Sequence, residues 1–318
     1  MILYAAAGAA LYGHHKEADL TISPITLSRR SVLQGLGAFA LLPSPARAEI
    51  VLPEPPPLIA ADYAVARQSF RTRLTMVGPS PDPAEPLDPP PGAERIAYHS
   101  DGLELAAWLS VPRSGGSSPG VIYLHGGNVL GSGHWELTQA YREAGYAVIM
   151  PALRGENSLA GAFSGFYDEN ADVLAAAKHL AGLPGVDRDR MFVAGHSIGG
   201  TLTLLAAMST SMFRGATAFS AGTNAWRFFS RFPEELRFDA SNPREFEMRS
   251  PVCYATSLKC PVRVLYGNEE RRIAETNEMT AIRAHDAGLD VKAMEVPGDH
   301  FSALAEETKI SLAFFAKL

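Results

Sequence analysis

At 318 residues, 47% hydrophobic and 19% charged, the chain has enough apolar material for a sizeable buried core, and its net charge of -6 excludes a strongly basic nucleic-acid surface. Nine histidines and two cysteines include neither an H-E-x-x-H nor a paired C-x-x-C spacing, so the sequence implies no metal site and no cofactor.

The chain opens on a segment read as a leader. Ser28-Arg29-Arg30-Ser31-Val32-Leu33 is a twin-arginine pattern, followed by an apolar run over Val32–Leu42 that is too short for a stable membrane anchor. Ala46-Arg47-Ala48 then supplies an A-x-A cleavage site. Residues 1–48 are therefore expected to be a twin-arginine signal peptide, and the mature chain to be periplasmic or extracellular. Residues 49–93 are rich in proline and read as an extended segment lying along the domain, with one helix over Asp62–Leu74 and no chemistry of its own.

From Glu94 the pattern becomes regular. Arg95–His99 and Leu105–Val111 read as a hairpin around Asp101-Gly102. Val121–Leu124, Tyr146–Met150, Arg190–Ala194, Ala216–Ser220, Val262–Tyr266 and Val291–Val296 read as buried strands. Helices are expected over Trp135–Ala144, Asn170–Ala181, Thr201–Met208, Glu275–Ala287 and Ser302–Phe315. Such alternation implies an α/β class with a mostly parallel central sheet covered on both faces. Residues 222–258 form an irregular insertion carrying Trp226, Phe228, Phe229, Phe232, Phe238 and Phe246. Those rings either wall an acyl pocket or pack the insertion onto the body. Cys253 and Cys260, seven apart, are either bridged or two buried thiols.

The chemistry centres on Gly195-His196-Ser197-Ile198-Gly199-Gly200. Strand, G-x-S-x-G and helix in that order are what a nucleophile elbow requires. The serine is expected in a strained turn at a helix N-terminus, with glycines on either side because side chains there would collide with it. A serine needs a base, and the base an orienting acid. Of the two histidines after Ser197, His285 lies within a helix, whereas His300 lies in the loop between the last strand and the last helix, where a base reaches the top of the sheet. The loop after Val262–Tyr266 offers Glu269 and Glu270; spacing from Gly267 favours Glu270, with Glu269 as the alternative acid. Asp299 is adjacent to His300 and poorly placed to orient its ring. The oxyanion hole is assigned to the N–H of Ile198 and of Gly127, in the loop after the third strand.

The segment from about residue 94 onward resembles an α/β-hydrolase, and within that superfamily the catalytic domain of prolyl-oligopeptidase-like and acylaminoacyl-peptidase-like serine hydrolases. The residues carrying the resemblance are His125-Gly126-Gly127, Pro151-Ala152-Leu153-Arg154-Gly155, Gly185–Arg190, Arg249-Ser250-Pro251, Cys260-Pro261-Val262 and Gly298-Asp299-His300. The resemblance implies Ser197 as nucleophile, Glu270 as acid, where the family usually has aspartate, and His300 as base. Those peptidases carry a large β-propeller ahead of the hydrolase domain, where this sequence has about 45 proline-rich residues. The expected activity is therefore hydrolysis of an ester or related acyl bond in a small-molecule substrate. Aminopeptidase or acylaminoacyl-peptidase activity, acyl transfer, and a non-catalytic binding role on the same fold are the alternatives.

Overall fold

A computed structural model describes residues 50–113 and 116–318; the twin-arginine pattern and the Ala46–Ala48 site lie outside the described residues. Eight strands form one sheet in the order β1-β2-β4-β3-β5-β6-β7-β8. They are β1 (Glu94–Ser100), β2 (Leu103–Ser110), β3 (Ser118–Leu124), β4 (Ala147–Pro151), β5 (Val186–His196), β6 (Gly215–Phe219), β7 (Val262–Gly267) and β8 (Val291–Val296). The β1–β2 hairpin is antiparallel, with Ser100 opposite Leu103, and β2 joins β4 antiparallel; β4 through β8 run parallel.

Continuous apolar runs make this sheet a central layer. On β3, Ile122 and Leu124 point into one hydrophobic cluster, and Val121 and Tyr123 into the other. The first cluster is closed by α4 (Glu169–Ala181), α5 (Ile198–Ser209) and α8 (Arg271–Asp286), through Val173, Leu204 and Ala284. The second is closed by α2 (Ser132–Glu136), α3 (Gln139–Glu143) and α9 (Leu304–Phe315), through Trp135, Tyr141 and Phe315. Burial on both faces is the reason the central strands lack an alternating pattern.

Three elements differ from the sequence reading. The helix expected over Trp135–Ala144 is two short helices, because Thr138 Oγ1 turns back to bond Trp135 O at 2.7 Å and so competes with the helical backbone. The insertion over 222–258 contains helices α6 (Ala225–Arg231) and α7 (Pro243–Glu247) rather than irregular chain. Asn224 and Asn242 cap them by accepting from Arg227 N and Arg244 N. Asp62–Leu74 holds only a short helix, α1 (Tyr63–Ser69), also capped by an aspartate, Asp62.

Most of the insertion's aromatic rings pack inward. Trp226, Phe229, Phe238 and Phe246 are buried, with Trp226 stacked on Phe246 at 5.4 Å and Phe229 edge-on to Phe238 at 4.9 Å. Arg249, fully buried, lies over Phe238 and bonds Glu245, Gly165 O and Ser164 O. Only Phe228 and Phe232 of the six keep partial exposure. Cys253 and Cys260 are free thiols, and burial pushes both up to about 12. No helix among the described residues is long and apolar enough to cross a membrane.

Candidate active site

Ser197 stands between β5 and α5 with φ 57° and ψ -116°, a conformation an L-residue adopts only under strain. The flanking glycines have a more specific cause than collision with the serine. A Cβ on Gly195 would lie 2.5 Å from Gly199 O, and one on Gly199 would lie 2.2 Å from Leu124 O of β3. The glycines thus let the helix start pack against its own strand and against the neighbouring strand, with the serine held at the C-terminal end of β5.

His300 and Glu270 come together across two loops. His300 Nδ1 donates to Glu270 Oε1 at 2.6 Å. Glu270 Oε2 accepts from Ser220 Oγ at 2.5 Å and from Gly267 N at 2.9 Å. Burial alone would raise the Glu270 pKa, but the bonds from His300, Ser220 and Gly267 outweigh it and hold the carboxyl below its ordinary range. Glu269 is exposed and its carboxylate takes no part in this cluster. Asp299 is occupied elsewhere: it accepts from Phe301 N, Ser302 N and Ser302 Oγ, which hold it near 2 and shape the turn after His300. His285 is exposed on α8. No hydrogen bond joins Ser197 Oγ to His300 Nε2 among the described residues; such contacts often tighten only with substrate bound.

His196 is a contributor that motif reading passes over as an unspecified position. Its Nε2 lies 2.8 Å from His300 O, and because a carbonyl only accepts, that nitrogen carries the proton. Burial, then the neighbouring His300, pulls the His196 pKa down to about 3, so the ring stays neutral and its tautomer is fixed. His196 therefore anchors the backbone of His300, and the two rings lie 4.5 Å apart.

Gly127, with φ 72°, and Ile198, the first residue of α5, line one small cavity of roughly water size beside His125 and Glu156. Neither N–H is taken by an acceptor among the described residues. Behind this loop, His125 Nδ1 faces Gly126 O and Nε2 faces Glu156 Oε2, each at 3.1 Å. Burial opposes a charge on His125, but Glu156 outweighs it and raises the ring's pKa. His134 stacks on His125 at 5.2 Å and is driven down to about 3 by burial and by that neighbour.

The proline-rich segment is not chemically idle. Asp82 Oδ2 accepts from Asn128 N at 2.9 Å, and Ser80 Oγ bonds Asn128 O. Residues 80 and 82 thus set the backbone immediately after Gly127, a role that composition concealed.

The model of the prolyl oligopeptidase family matches residues 134–313, more than half of the chain. The chain belongs to this family. It is 23% identical over 189 residues to the uncharacterized peptidase YtmA of Bacillus subtilis, covering 56% of this chain and 74% of that one. The acylaminoacyl peptidase of Pyrococcus horikoshii superposes with a TM-score of 0.62 at 21% identity, over 70% of this chain and 41% of that enzyme. This chain therefore spans about two fifths of that enzyme's length. An esterase from Pyrobaculum calidifontis superposes with a TM-score of 0.60 at 20% identity, over 72% of this chain and 87% of the esterase. The fold is that of the α/β-hydrolases, and the family is one of hydrolases.

Proposed function

We propose that this protein is a serine hydrolase that cleaves an ester or related acyl bond through an acyl-enzyme. The observation that carries this reading is the His300–Glu270 pair at 2.6 Å, tied through His196 to the strained elbow that holds Ser197. In the first step His300 Nε2 takes the Ser197 Oγ proton as Oγ attacks the carbonyl carbon. His300 Nδ1–H stays on Glu270, whose carboxylate steadies the imidazolium. The N–H groups of Ile198 and Gly127 receive the oxyanion. On collapse, His300 passes its proton to the leaving alcohol, and water repeats the sequence to free the acid.

Cleavage of aminoacyl amides is the second reading, favoured by the family to which the chain belongs. Chromogenic esters of increasing chain length, run beside aminoacyl nitroanilides, separate the two. Higher kcat/KM on the esters is expected, and faster cleavage of the nitroanilides would transfer the assignment to peptidase. Export by the twin-arginine route is proposed from Arg29 and Arg30. Replacing both by lysine should abolish periplasmic yield; an unchanged yield with a mature terminus near Glu49 would refute it.

A further inference from the structure

Phe301 follows His300 directly, and it is a large apolar side chain that a loop of the site leaves in the open. It is 45% exposed, and the other large exposed apolar side chains among the described residues lie between Val51 and Val77 or, as Ile282, on α8. Phe301 joins neither hydrophobic cluster. Its aromatic neighbours are the histidines of the site. The ring stands edge-on to His300, with centroids 5.1 Å apart and planes at 84°, and lies 5.8 Å from His196. The backbone holds it there. Asp299 accepts from Phe301 N at 3.1 Å and from Ser302 N at 2.8 Å. The loop also packs so closely on the end of β7 that a Cβ on Gly267 would lie 2.3 Å from Gly298 O. A half-open ring in a pinned turn adds little to the core, and its free face is available to a substrate.

The reaction determines which part of a substrate comes to His300. In the tetrahedral intermediate the oxyanion goes to the N–H groups of Ile198 and Gly127. The leaving oxygen must come within about 3 Å of His300 Nε2 to receive its proton. The alcohol portion therefore passes the His300 ring, against which Phe301 stands. In the second step the attacking O–H gives its proton to the same Nε2, so it enters where the first alcohol left. An apolar ring beside that route gains by covering an apolar alcohol and gains nothing from water.

We propose that Phe301 determines specificity for the alcohol portion of the substrate, binding an apolar alcohol as leaving group in the first step and as acceptor in the second, so that the protein transfers acyl groups to apolar alcohols as well as to water; the inference rests on the serine-hydrolase reading above. In the transfer step His300 Nε2 takes the alcohol's proton as the alcohol oxygen bonds the acyl carbon. Collapse breaks the bond between that carbon and Ser197 Oγ, and His300 returns the proton to Oγ. The products are a new ester and the free serine, with nothing oxidised or reduced.

The test compares the acetate esters of methanol, hexanol and phenol. For each ester, kcat/KM of Phe301→Ala is divided by that of the wild-type protein, so the intrinsic reactivity of the alcohol cancels. The quotient should fall about five- to thirtyfold for hexyl and phenyl acetate and stay within about twofold of unity for methyl acetate, with Phe301→Leu between the two proteins. A second measurement begins after the acyl-enzyme has formed. Phenyl acetate is turned over in the presence of hexanol, and the hexyl acetate made is counted against the acetate released. The share going to ester should be at least about fivefold higher in the wild-type protein than in Phe301→Ala. A ring that only braced His300 would slow both products alike and leave the partition unmoved. Equal losses across the three esters, or an unmoved partition, overturn the proposal. Ser197→Ala, run with labelling by a serine-directed phosphonate, keeps the two readings apart. If it abolishes turnover and labelling while Phe301→Ala shows no selectivity for the alcohol, only the role of Phe301 falls; if turnover survives it, the serine-hydrolase reading falls and the role of Phe301 with it.

Discussion

Two histidine–glutamate pairs flank Ser197, and they differ in what each ring has left to offer. On one side His300 gives Nδ1 to Glu270, and its side chain remains 29% exposed, with Nε2 uncommitted. On the other side His125 has both nitrogens engaged, by Gly126 O and Glu156, at 3% side-chain exposure. The same two side-chain types therefore leave a free ring nitrogen in one place and make a brace in the other. Partner identity does not decide the outcome; the free nitrogen and its access to solvent and substrate do. The brace has its own function, since His125 leads directly into Gly126-Gly127 and Glu156 also accepts from Leu153 N, two residues past the end of β4.

The contrast can be broken most severely at the reacting side. Ser197→Ala and His300→Ala should each lower kcat/KM by at least ~10³-fold without moving the melting temperature, because serine, base and acid act as a unit. Near-normal turnover in either variant, with wild-type contamination excluded, would erase the distinction between the pairs. Glu270→Gln should cost about 10²- to 10⁴-fold. Glu269→Gln should cost less than about twofold, being an exposed loop substitution. A reversal of those two losses would move the acid to Glu269.

At the brace the larger loss should be in stability. Glu156→Gln removes the charge that outweighs burial at His125 and should cost about 3–5 kcal/mol in chemical denaturation, with a loss of activity in the folded fraction of about tenfold or less. The sign with pH follows from the raised His125 pKa. The pair's contribution is complete below the unfolded value of about 6.5 and fades as pH rises through the folded value, so the gap to Glu156→Gln should narrow from pH 6 toward pH 9. A gap independent of pH would show that His125 is neutral and that the pair is no ion pair. A modest effect is expected from Asp82→Asn, which weakens one charge-assisted bond to Asn128 N and should lower kcat about three- to tenfold with little change in melting temperature.

The sheet was legible because its strands are short apolar runs separated by glycine, proline and polar turns, and Asp101-Gly102 marked its hairpin directly. The elbow at Ser197 and the loop that carries His300 were legible because both have fixed places in chain order relative to β5, β8 and α9. Other features could not be read in this way. Ser220 and Asp82 act through contacts 50 and 46 residues distant in sequence, and nothing local distinguishes them from core or loop residues. The aromatic insertion stayed open between two readings for a related reason: composition reports that rings are present, not which way they face. Its asparagine caps at 224 and 242 were the available signal for helices, and a Pro243 at the first helical position reinforced the second of them.

The bond from Asp82 to Asn128 has a practical consequence for anyone handling this protein. The sheet begins at Glu94, which makes that residue an inviting place to start a shortened chain or attach a tag. A chain begun there would retain Ser197, Glu270 and His300 and still lose the carboxylate that fixes the backbone beside Gly127. Tags and fusion partners belong upstream of Ile50, because the stretch that follows braces the loop of the candidate site through Asp82 and Ser80.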